Sequence, residues 1–118
     1  MASDYGARVE FTSSLPDRLT QIRWALAQLR QRPHDTGLFA ETHNSVQELV
    51  GAATAFGLDE LAEIGMRVDQ ALVAWRGRGA PPAAWAAVAD ADAALAEFAD
   101  RVAPIAAPAP WRLVGAGV

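Results

Sequence analysis

Val46-Gln47-Glu48-Leu49-Val50-Gly51-Ala52-Ala53-Thr54-Ala55-Phe56-Gly57-Leu58 is the stretch that decides the fold of this chain. Val46, Leu49, Ala53 and Phe56 recur every three or four residues, the period of a helix that buries one face. Gly57 follows at the place where glycine closes helices. From Leu58 a second stripe begins at once, carried by Leu61, Ile64, Val68, Leu72 and Trp75. So short a connection joins antiparallel neighbours. The stretch therefore predicts a helical hairpin. Its first helix starts near Asp35 or Thr36 and ends at about Phe56. Its second runs from Leu58 to about Trp75.

Upstream, Leu15, Leu19, Ile22, Leu26 and Leu29 form another apolar stripe that ends near Arg32-Pro33. Ser14-Leu15-Pro16-Asp17 reads as its start: a capping serine, a proline tolerated in the first turn, and an acid at the positive end of the helix dipole. Residues from about Asp4 to Ser13 read as a short separate leading helix. Downstream, Arg76-Gly77-Arg78-Gly79-Ala80-Pro81-Pro82 is a break. A last helix from about Pro82 to Val102 carries Trp85, Val88, Leu95, Phe98 and Val102. Trp24, Trp75 and Trp85 read as core or boundary aromatics. The pattern predicts an all-α, antiparallel up-down four-helix bundle over residues 1–103, with a short extra N-terminal helix. A Pro/Ala-rich tail over residues 104–118 should be extended, with Trp111 folding back over the bundle.

Composition narrows the functional classes. The chain has 118 residues, the size of one domain. Apolar residues make up 52%, mostly Ala and Leu, which favours helix. With no cysteine, disulfide and thiolate chemistry are excluded. The formal charge of −4 lacks the basic stripe of a nucleic-acid binder, so no nucleic-acid partner is expected. All basic side chains are arginine. No apolar run spans a bilayer and no secretory pattern opens the chain, so the expectation is a cytoplasmic protein without membrane association.

The quoted stretch resembles the phosphoacceptor motif of histidine phosphotransfer domains, His-x-Leu-Lys-Gly-x-Ala-x-x-Phe/Leu-Gly. Leu49, Gly51, Ala53, Phe56 and Gly57 fall in register. Leu15-Pro16-Asp17-Arg18-Leu19 looks like part of that family's preceding helix. Gly57-Leu58-Asp59-Glu60-Leu61-Ala62-Glu63-Ile64 is similar to its following one, continued by Val68-Asp69-Gln70-Ala71-Leu72. The resemblance covers roughly residues 10 to 100. It implies an up-down bundle with an exposed acceptor position and a receiver domain or histidine kinase as partner.

Two departures fall on the chemistry. Gln47 stands in place of the acceptor histidine, and a neutral amide is not a usable nucleophile toward an aspartyl phosphate. Val50 replaces the lysine that puts positive charge beside the phosphoryl group. Gly51 follows Gln47 by four residues, on the same helix face. A glycine inside a helix costs about 1 kcal/mol relative to alanine. It is explained either by close helix packing or, as the resemblance implies, by a docking surface cleared of side-chain bulk.

The sequence thus predicts a non-enzymatic, phosphotransfer-like module that docks a receiver domain or histidine kinase through Gln47, Val50, Gly51 and Thr54. No cofactor is expected, and the protein should be a monomer or weak dimer. One alternative is active phosphotransfer on His43, a turn before Gln47. Another is a structural or dimerisation module. His34, after Pro33, reads as a solvated loop residue. The histidines lack the paired spacing of a metal site, so none is expected. Asp90 and Asp92 do not share a helix face, and nothing pairs a general acid with a base. Gly77-Arg78-Gly79 is far from a phosphate-loop pattern.

Overall fold

The computed structural model describes residues 2–106. Four helices follow in order: α1 (Ala2–Gln31), α2 (Thr36–Ala55), α3 (Asp59–Gly77) and α4 (Ala86–Ala106). A short 3-10 turn, Pro82–Trp85, leads into α4. The helices form a bundle in which α1 packs on α4 and α2, and α3 packs on α2 and α4. Every adjacent pair is antiparallel. The start of α1 meets the end of α2, with the rings of Phe11 and Phe56 5.5 Å apart. Arg23 on α1 pairs with Asp92 near the start of α4. Glu60 at the start of α3 pairs with Arg101 near the end of α4.

The hairpin at α2–α3 forms as its sequence dictates. Asp35 sits in extended backbone and its carboxylate accepts the Leu38 N–H at 3.0 Å, capping α2. At the other end Gly57 adopts a positive φ of 73°, and the Leu58 N–H returns to the Ala53 carbonyl at 2.8 Å. That left-handed turn is what a glycine permits and an L side chain resists. Asp59 and Glu60 then occupy the first turn of α3, and Arg76 its last, each at the favourable pole of the helix dipole.

The core is the set of stripes read from the sequence. Leu15, Leu19, Leu26 and Leu29 meet Val46 and Leu49, Leu61, Val68 and Leu72, and Val88 and Leu95, all fully buried. Each such side chain contributes about 1.5–3 kcal/mol on leaving water. Thr42 is the buried polar residue of this core, and its hydroxyl donates to the Leu38 carbonyl at 2.7 Å. Trp75 and Trp85 close the opposite end in an edge-to-face pair, centroids 4.8 Å apart. The Trp75 indole N–H donates to the Pro81 carbonyl at 3.1 Å. This bond helps hold the connection in which Ala80, buried, takes a φ of 57° that costs a non-glycine residue about 1–2 kcal/mol.

Three expectations need correction. There is no separate leading helix: α1 runs unbroken from Ala2 through Pro16 to Gln31. Ser14 does not cap. Its hydroxyl donates back to the Phe11 carbonyl at 2.9 Å and accepts from Arg18 Nε at 2.9 Å. A proline inside a helix costs about 3 kcal/mol. Phe11, Leu15 and Leu19 are buried on both sides of this one and fix the backbone across it. Second, α4 continues past the break expected at Ala103, through Pro104 to Ala106. Pro104 holds a φ compatible with helix and Ala103 and Ala106 near it have high helix propensity, so the helix runs on for about one more turn. Third, Trp24 is 63% exposed and is not a core or boundary residue. It lies two residues from both Ile22 and Leu26, on the far side of α1 from their stripe. The expectation that Trp111 folds back lies outside the described residues.

Candidate functional site

Two contacts fix which side of α2 faces α3. Val50 is half-buried and lies against Gly65, where a β-carbon would come within 2.7 Å of Val50 Cγ2. About two turns earlier, His43 Nε2 faces Asp69 Oδ1 at 2.6 Å. Gln47 lies four residues after His43 and three before Val50. It therefore stands on the same side of α2, a step outward from the seam, and it is exposed. Gly51 and Thr54 continue that exposed strip. Thus Gln47, Gly51 and Thr54 share an open face, while Val50 is divided between that face and the interhelical seam.

Gly51 does not serve packing among the described residues. A β-carbon built on it would meet nothing within 4 Å. This contrasts with Gly65, whose missing side chain lets α2 and α3 close together. The two glycines occupy facing helices and have opposite explanations. At Gly65 the reason is internal contact. At Gly51 no contact among the described residues accounts for the glycine, and an exposed helical glycine costs about 1 kcal/mol relative to alanine.

The sequence reading missed part of this face. Met66 and Val73 on α3 are exposed by 46% and 49%. Met66 is adjacent to Gly65 and three residues before Asp69, and Val73 is four residues after Asp69. Helical geometry therefore sets both along the outer edge of the α2–α3 seam, across from Gln47 and Gly51. The signal was present in the sequence: both are apolar and fall off the stripe of Leu61, Ile64, Val68, Leu72 and Trp75. What the hairpin read from the sequence did not supply was the rotation of α2 and α3 against each other that gives them a common face.

His43 is built into the seam. Its ring stacks on Phe39 at 5.6 Å and 15°. Nε2 of His43 and Oδ1 of Asp69 are both buried; their 2.6 Å contact lacks good hydrogen-bond geometry, and among the described residues neither has another partner. A proton on Nε2 sets a donor against the carboxylate acceptor. The Arg76 guanidinium lies over the other end of this cluster, 4.7 Å from the Phe39 ring centre, with its Nη1 buried and unbonded. His34 is exposed beyond α1.

The remaining ionic contacts clamp helices and lie away from this face. Arg23 Nε and Nη2 reach the two Asp92 oxygens at 2.9 and 3.3 Å. That hydrogen bond raises the Arg23 pKa, against a smaller opposing effect of burial. Arg101 Nη1 and Nη2 reach the Glu60 oxygens at 3.1 and 2.5 Å. The hydrogen bond holds the Glu60 carboxyl below its ordinary value and lifts Arg101 above its own. Among the described residues no cluster of three His, Asp or Glu side chains is placed to hold a metal ion. Nor, among them, is any helix long and apolar enough to cross a membrane.

Grooves between the helices are small. One between α1 and α2, beside Arg18, Ser45 and Glu48, holds about 110 Å³. One between α1 and α4, beside Arg30, Trp85 and Asp92, holds about 240 Å³. Ligand pockets ordinarily run from about 300 Å³ upward. Along α2 the face carries uncharged residues at Gln47, Val50, Gly51 and Thr54. Comparison with protein-family models, curated proteins and solved structures finds no match for this chain.

Proposed function

We propose that this chain is a phosphotransfer-like bundle that docks a receiver domain or a histidine kinase through the face formed by Gln47, Gly51, Thr54 and the outer edge of Val50. In this reading it passes no phosphate. It acts by occupying a surface that an active phosphotransfer protein would otherwise use. The observation that carries the proposal is Gly51: an open position in mid-helix, one turn from an exposed Gln47, with no contact among the described residues to explain its missing side chain. Met66 and Val73 add apolar area beside it, of the kind that marks interaction surfaces when it is contiguous.

Acceptance of phosphate on His43 has less support. Its Nε2 is buried and committed to Asp69, so attack from that atom requires breaking the pair and opening the seam. Incubation with a phosphorylated receiver domain or an autophosphorylated kinase tests the proposal. The expected result is a complex with no label transferred to this chain. Label that appears on the chain and vanishes in His43→Ala would overturn the non-transferring reading.

A further inference from the structure

We infer that the α2–α3 face prefers a receiver domain in its unphosphorylated state. This rests on the docking reading above and specifies which form of the partner it takes. Among the described residues, the face that would close over a receiver's aspartate offers no cation. On α2, the residues three and four away from Gln47 are His43, Asn44, Val50 and Gly51. Of these His43 alone can carry charge, and its Nε2 is turned into the seam against Asp69. On α3, Arg67 lies two residues from both Gly65 and Asp69, on the far side of the helix from the seam. Arg76 is held over Phe39. The fixed charge next to Gln47 along α2 is the exposed Glu48 carboxylate, of the same sign as a phosphoryl group, while Asp69 faces His43 in the seam.

A phosphoryl group carries close to two negative charges. Bringing it against Gln47 and Val50 strips water from those charges and returns no ion pair. Glu48, exposed beside Gln47, adds repulsion. A bare aspartate makes a smaller demand, and the amide of Gln47 can donate a hydrogen bond to it. The face thus discriminates by charge: the partner is held before phosphorylation and released after it.

Titration calorimetry of the full chain with purified receiver domains of its own organism tests this, each receiver prepared with and without beryllofluoride as the phosphoryl mimic. The expected result is binding weakened on the order of fivefold or more by the mimic, from like-charge repulsion and lost hydration. Gln47→Lys, at an exposed position, should shift the ratio toward the mimic-bearing form, and Gln47→Glu should shift it further away. Equal or tighter binding to the mimic-bearing form overturns the inference and leaves the docking reading standing. Binding to no receiver in either form overturns the inference and confines the docking reading to a kinase.

Discussion

Val50 and Gly65 are a matched pair: the Val50 side chain fills the space that a β-carbon on Gly65 would need, with Cγ2 2.7 Å from that position. Valine in a helix holds essentially one rotamer, so Val50 cannot turn aside. Gly65→Ala should therefore destabilise the bundle by about 1–2 kcal/mol despite the better helix propensity of alanine. Val50→Ala in the same chain should relieve the clash, so the double variant should be less destabilised than the two single losses added together. Urea unfolding of the four proteins measures this coupling.

The buried contact between His43 and Asp69 should behave as a unit. Asp69→Ala leaves a buried imidazole nitrogen without a partner, a loss of about 1–3 kcal/mol. His43→Ala strands a buried carboxylate oxygen in the same way. Removing both should cost less than the two losses summed, because no orphaned polar atom remains. Additive losses, measured by the same unfolding series, would show that the two side chains contribute separately.

Acid should weaken the α3–α4 clamp. Arg101 lowers the Glu60 pKa in the folded protein, so this pair's contribution is present above the unfolded carboxylate value, about 4.3. It is lost as pH falls through the lower folded value. Glu60→Gln should flatten that part of the stability profile between neutral pH and acid. The effect is small because both partners are exposed to solvent and salt. Thermal midpoints across pH 2–7 for the two proteins, in low salt, provide the comparison.

Much of the bundle can be read from residue spacing, and the failures have physical causes. Asp35, Gly57 and the stripe from Leu61 to Trp75 announce the α2–α3 hairpin because caps and glycine turns are local in sequence. Pro16 misled for the converse reason. Its local cost favours a helix start, but buried Phe11, Leu15 and Leu19 on both sides outweigh it. Trp24 was misassigned by residue type. Its spacing from Ile22 and Leu26 already sets it on the outer side of α1. Within the site, the axial spacing of Gln47 and Gly51 was readable. The burial of His43 against Asp69, the commitment of Val50 to Gly65 and the exposure of Met66 and Val73 all depend on how α2 and α3 are rotated against each other. No residue of α2 alone encodes that.

Gly51 separates stability from docking, and its substitution tests the central claim most directly. Gly51→Ala should raise folding stability by about 0.5–1 kcal/mol, since the position is open and helical. Gly51→Arg should keep the helicity and unfolding transition of the parent. The decisive measurement is the affinity of purified receiver domains and histidine kinases for the parent and for Gly51→Arg, with unchanged circular dichroism as the control. The account predicts binding by the parent and its loss in Gly51→Arg. A folded Gly51→Arg protein that binds its partner as tightly as the parent would contradict it.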